Sequence, residues 1–216
     1  MGGRTSISAG KQPAQWAPGL RIGLLGGSFN PAHEGHLHLS LMCLSALSLD
    51  TVWWLVSPQN PLKDETGMAP FHARFASAKA QASDARIHVS DIENELGTRY
   101  TADTLDALRA RFSDLHFVWL MGADNLIQFP KWQRWRDIIA TMPIAIYPRP
   151  GYTQEAKHSP LARAFPSHTL DAASPPSPPA LTPPQLFFID GPENNLSATA
   201  LRASGHWPQP GTEPEK

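Results

Sequence analysis

Short apolar runs alternate with helix-forming stretches along most of this chain, and that alternation limits the fold more than any other feature. LRIGLL (20–25), TVWWLVS (51–57), RIHVSD (86–91), LHFVWLMG (115–122), PIAIYP (143–148) and QLFFID (185–190) read as strands, and TVWWLVS is rich in β-branched and aromatic residues. Between them lie stretches with helical character. LHLSLMCLSALSL (37–49) puts Leu37, Leu41 and Leu44 on one face, and 70–83 has Pro70 in its first turn. Residues 101–112 offer Thr101 or Asp103 as an N-cap, and 131–140 follows. Residues 195–205 have Ser197 as their N-cap and Gly205 near their end. Apolar strands without polar alternation are buried on both faces, which calls for a parallel sheet covered by helices. The expected fold is α/β: a Rossmann-like, doubly wound, mostly parallel sheet with helices on both faces, in a single domain.

The chain has 216 residues, enough for one domain with a sizeable core. Residues 1–19 read as a flexible tail, 20–206 as the domain and 207–216 as a second tail. Residues 148–184 break the pattern, and the proline density of ASPPSPPALTPP makes 172–184 a loop insertion. Charges nearly cancel, 18 basic against 19 acidic, so there is no basic stripe for nucleic acid or an anionic membrane. No run reaches the roughly 18 apolar residues of a membrane span. The N-terminus lacks the apolar core of a secretory signal, so the expected compartment is the cytoplasm. The single cysteine, Cys43, forbids an internal disulfide and reads as a core residue. Oligomeric state stays open, a homo-oligomer included.

The chemistry concentrates in GGSFNPAHEGHLHLS (26–40), directly after the first strand. In an open parallel sheet, ligands bind at the carboxyl ends of strands, near the reversal of strand order. Gly26 and Gly27 permit close backbone approach there. The helix that follows, starting near Gly35 or His36, presents free N–H groups and a positive dipole end to an anion. His33 and His36, three apart, can share a side and face the same phosphate, whereas His38 falls on another face. The pattern is neither a Walker A loop nor Gly-x-Gly-x-x-Gly. A zinc reading of the two histidines lacks neighbouring ligands, because only Glu34 is close.

GGSFNPAHEGH resembles the Gly-Gly-Thr/Ser-Phe-Asp/Asn-Pro-x-His-x-Gly-His signature of nucleotidyltransferases that transfer the adenylyl group of ATP. GTRYTADTL (97–105), MGADNLIQFPKWQRWRDI (121–138) and NLSATALR (195–202) are similar to segments of bacterial nicotinate-nucleotide adenylyltransferases, so the resemblance covers about residues 20–206. It implies that Gly26, Gly27, Ser28, Phe29, His33, His36, Gly122, Asp124, Ser197, Thr199 and Arg202 bind ATP. Asp124 would accept hydrogen bonds from the adenosine ribose hydroxyls; its competing role is a helix cap. Ser28, Lys63, Tyr100, Thr101 and Trp132 would bind nicotinate mononucleotide, with the Trp132 indole stacked on the pyridine ring. Trp135 reads instead as a packing residue. One departure stands out: Ala198 replaces the second serine of the family's Ser-Ser-Thr, which removes a hydroxyl but keeps a backbone N–H.

The implied reaction is attack by a phosphate oxygen of nicotinate mononucleotide on the α-phosphorus of ATP, releasing pyrophosphate. His33, His36, Lys63 and Arg202 would stabilise the developing charge. Mg2+ would sit on phosphate oxygens and water, with no protein side-chain ligands. Nicotinamide mononucleotide and phosphopantetheine are the rival acceptors, and a nucleotide-binding regulator without catalysis is the rival class.

Overall fold

The computed structural model of the chain describes residues 16–58, 67–173, 178–194 and 198–203. A seven-stranded parallel sheet runs in the order β3-β2-β1-β4-β5-β7-β6. Its strands are β1 (Arg21–Gly27), β2 (Thr51–Val56), β3 (Ile87–Ser90), β4 (His116–Gly122), β5 (Ile144–Tyr147), β6 (Ser167–Asp171) and β7 (Leu186–Asp190). The helices are α1 (Glu34–Ala46), α2 (Phe71–Gln81), α3 (Ile92–Leu96), α4 (Thr101–Arg111), α5 (Ala123–Gln128), α6 (Trp135–Thr141), α7 (Thr153–Lys157), α8 (Pro160–Ala164) and α9 (Ala198–Ala203), with a 3-10 turn at Phe129–Lys131. From β1 the chain winds outward through β2 and β3, then returns to lay β4 against the other side of β1. That reversal places the crevice of a doubly wound sheet between the carboxyl ends of β1 and β4.

Every residue of β2 is buried, as a strand covered on both faces requires. Successive side chains point to opposite faces. Trp53 accordingly joins one core with α3, α4, α5 and α6, through Ile92, Leu105, Leu126 and Ile138. Trp54 joins the other core, with Leu39 and Cys43 of α1 and Ala78 of α2. Each such large side chain, fully buried, contributes about 1.5–3 kcal/mol. Burial also pushes the Cys43 thiol up to about 12, so it stays protonated and serves as packing.

Three local features differ from the reading of the bare sequence. Trp16, assigned there to the tail, is buried against Trp53 (5.0 Å between ring centroids) and His88 (4.9 Å). The segment 148–184 contributes α7, α8 and the edge strand β6, which pairs in parallel with β7. The cap of α4 is Tyr100, with no side-chain hydrogen bond, so neither Thr101 nor Asp103 caps it. Asp103 is occupied elsewhere, by Arg134 at 3.0 Å.

Candidate active site

The loop from β1 to α1 is held from below and above. A side chain at Gly26 would collide with the Trp119 indole of β4, so only glycine lets β1 and β4 close up here. Phe29 adopts a left-handed backbone (φ 47°) and is buried between Trp54 (5.1 Å) and His36 (4.8 Å). α1 begins at Glu34, and His33 is its N-cap. His33 Nδ1 accepts from the Gly35 N–H at 3.1 Å, and His36 Nδ1 accepts from the His33 N–H at 3.2 Å. This is a reciprocal capping box in which two imidazoles replace the usual hydroxyl and carboxylate.

The capping box fixes more than the helix start. A nitrogen that accepts a backbone N–H carries no proton. Each ring therefore keeps its proton on Nε2, across the ring from the backbone. The two rings lie 4.0 Å apart, on one side as the spacing suggested. Burial, reinforced by the positive charge of Arg149, pushes His33 down to about 4, so it is a neutral N–H donor at pH 7. A neutral donor can bind a phosphate oxygen without entering the proton balance.

Chain segments far apart in sequence meet at this loop. The Arg202 guanidinium of α9 donates to the Asn30 carbonyl at 2.7 Å, across 172 residues, and to Thr199 Oγ1 at 3.2 Å. The Asn30 side chain donates to the Gly67 carbonyl (2.8 Å) and accepts from the Ala69 N–H (3.1 Å). Arg74 of α2 is buried and bridges four carbonyls within 3.0 Å: Ser28, Ser57, Pro58 and Ala69. The ends of β1 and β2 are thereby fixed to each other and to the entry of α2.

On the other side of the crevice, Gly122 ends β4 and caps α5. Asp124 lies inside α5, so it is not the cap; its carboxylate folds back over Gly122, where any side chain would strike it. Arg149, two residues beyond the end of β5, donates to Asp124 at 3.4 Å. The acceptor candidates sit farther out. Tyr100 is 39% exposed and Thr101 opens α4. Trp132 follows the 3-10 turn, half-buried, with Phe129 at 5.4 Å and Trp119 at 6.2 Å, both at steep ring angles. Trp135 packs against the core, as expected. Lys63 and Ser197 lie outside the described residues.

Comparison with known proteins gives this arrangement a family. The Cytidylyltransferase-like family model matches residues 24–204. A Parvibaculum lavamentivorans protein named "Probable nicotinate-nucleotide adenylyltransferase" is 64% identical over 88% of this chain and 94% of its own length. An Erythrobacter litoralis protein of the same name is 53% identical over 88% and 87%. The chain belongs to the nicotinate-nucleotide adenylyltransferase family. A solved Plasmodium falciparum nicotinic acid mononucleotide adenylyltransferase, complexed with NaAD, shares the fold at TM-score 0.63 and 16% identity, covering 85% of this chain and 83% of that one.

Within a nicotinate-nucleotide adenylyltransferase scaffold, two arginines stand out that sequence reasoning passed over. Arg149 sits in a PRPG turn, which reads as a loop breaker, yet β5 ends at Tyr147 paired with Gly122, so a cation just beyond it reaches Asp124. Arg74 carries no mark of burial in the sequence, and only the fold reveals it. Among the described residues, no group of three or more His, Cys, Asp or Glu side chains is placed to hold a metal ion. None of the described helices is long and apolar enough to cross a membrane.

Proposed function

We propose that this chain transfers the adenylyl group of ATP to nicotinate mononucleotide, giving nicotinate adenine dinucleotide and pyrophosphate. The observation that carries the reading is the paired imidazole cap, His33 and His36, with Arg202 docked on the carbonyl of Asn30 in the same loop. Together they gather a helix N-terminus, two Nε2–H donors and a guanidinium where β1 ends.

The chemistry follows from that geometry. A phosphate monoester has a second pKa near 6, so the attacking oxygen of the mononucleotide is already ionised at neutral pH. No general base is needed, and a neutral His33 suits that. The oxygen forms a bond to the α-phosphorus, the bond to the bridging oxygen of the β-phosphate breaks in line, and pyrophosphate leaves. His33 and His36 donate to the α-phosphate oxygens as charge builds on them. Arg202, with Thr199 beside it, and Lys63 hold the β- and γ-phosphates, and Ser197 adds a hydroxyl to that cradle. Asp124, fixed by Arg149, accepts from the ribose hydroxyls, while Gly26, Gly27, Ser28, Phe29 and Gly122 form the floor. Tyr100, Thr101 and Trp132 take the nicotinate moiety. Mg2+, when bound to the phosphates, supplies charge neutralisation and keeps its own water shell. The donors that face this loop are imidazoles and guanidinium groups, which fits a metal carried in by the nucleotide rather than caged by protein.

The test is pyrophosphate release from Mg·ATP with nicotinate and nicotinamide mononucleotides offered in parallel. A strong preference for the nicotinate form is expected, since a site built for one polar group rejects its replacement by large factors. Preference for the amide moves the acceptor and keeps the ATP site. Release with neither overturns the reading.

A further inference from the structure

Arg134 holds an arrangement that the proposed reaction does not use. Its backbone is left-handed (φ 55°, ψ 32°), a conformation that glycine or asparagine ordinarily supplies. Its guanidinium donates to three carboxylates: Asp103 at 3.0 Å and Asp106 at 2.9 Å on α4, and Asp137 at 2.8 Å on α6. These contacts raise the affinity of Arg134 for its proton. All four groups are solvent-exposed, with 40% of the Arg134 side chain accessible.

Exposed ion pairs add little to stability. The cores of α4 and α6 are secured anyway by Leu105, Leu108, Ile138 and Ile139, all nearly fully buried. The ion pairs lie instead on the outer edge, where Asp103 and Asp106 of α4 face Arg134 across from the turn 132–134. The Trp132 carbonyl accepts from the Trp135 N–H at 3.3 Å, so the indole's backbone is continuous with the segment that Arg134 grips. Tyr100 and Thr101 begin the helix whose residues 103 and 106 it grips on the other side.

We propose that Arg134 is a positioning residue for the acceptor: its guanidinium ties the turn bearing Trp132 to the first turn of α4, and so sets the slot between the indole and Tyr100–Thr101. This rests on the assignment of those residues to the pyridine mononucleotide. Three donors of one planar fork meet three carboxylates, a geometry that a lysine point charge cannot reproduce.

Steady-state kinetics on the full-length chain test it, with Arg134→Gly as the main variant. Glycine relaxes the left-handed backbone while removing the clamp, so a loss cannot be blamed on strain. The expected result is a KM for nicotinate mononucleotide raised about tenfold, with the KM for ATP and kcat each within about threefold, since one tenfold step corresponds to about 1.4 kcal/mol. The double variant Asp103→Asn/Asp106→Asn should reproduce that acceptor-selective rise, and combining it with Arg134→Gly should add little further. Arg134→Lys should rescue only in part. An unchanged acceptor KM in Arg134→Gly, or equal rises for both substrates, overturns the positioning role while leaving the activity standing. A wild-type protein that turns over neither mononucleotide overturns the activity, and this role with it.

Discussion

The two sides of the crevice are built by opposite means. The side proposed for ATP, around the β1 loop, is held by buried and half-buried contacts to backbone: the reciprocal histidine cap, Asn30 on Gly67 and Ala69, Arg74 on four carbonyls, and Arg202 on Asn30. The side proposed for the acceptor adds, above its apolar anchors, surface ion pairs between Arg134 and the aspartates of α4 and α6. Buried hydrogen bonds in low dielectric resist salt and need no reorganisation when charge develops. Exposed ion pairs are screened and adjustable. On the proposed assignment, the triphosphate side would be rigid before substrate arrives, whereas acceptor geometry would depend on a clamp that ionic strength weakens.

The widest test of that contrast is His36→Ala. It removes one of the proposed phosphate donors and half of the capping box together. A lost preorganised donor costs about 100- to 1,000-fold in kcat, whereas a lost cap costs only ~1 kcal/mol of stability. Turnover should therefore fall by at least about 100-fold while circular dichroism and the unfolding midpoint change little. Near-normal kcat would break the assignment of the ATP side.

Trp132→Ala probes the other side and should act differently. Stacking of a base on an aromatic ring is worth about 1–3 kcal/mol, so the KM for nicotinate mononucleotide should rise roughly 10-fold or more, with the KM for ATP nearly unchanged. Equal losses for both substrates would mean that Trp132 is a packing residue between Phe129 and Trp119, and the two sides would no longer be separable.

The same contrast explains what could be read from the residues alone. Strands β1, β2, β4, β5 and β7 were legible because burial on both faces leaves uninterrupted apolar runs. β6 was not: SHTLD exposes four of its five side chains at the sheet edge and carries no apolar signal. The closeness of His33 and His36 followed from their spacing, but their use as a capping box did not, because that box is ordinarily recognised by Ser or Thr with Glu. Arg74, Arg149 and Arg134 were illegible for one shared reason. An arginine looks alike in sequence whether it faces solvent or bridges distant segments, and only tertiary contact distinguishes the two.

The subtlest test lies on the seam between the two sides. Glu93 of α3 is buried, within hydrogen-bond reach of Ser57 at the end of β2 and 3.5 Å from Thr104 of α4. Burial pushes its carboxyl up to about 7, against the two hydroxyl hydrogen bonds that favour ionisation. An unfolded glutamate ionises near 4.5, so between 4.5 and about 7 the folded state binds the proton and the unfolded state does not. Stability associated with this group is then present below 4.5 and is lost as pH rises through about 7. Glu93→Gln keeps the shape and the neutral form at every pH. It should match the wild type near pH 4.5 and exceed it at pH 8 by roughly 1–3 kcal/mol in urea unfolding. Both kinetic constants should stay close to wild type, because Glu93 is buried and is none of the residues proposed to bind substrate. A variant no more stable at pH 8 than at pH 4.5, relative to wild type, would mean that Glu93 is already ionised in the fold and that the seam is held by charge rather than by a buried neutral acid.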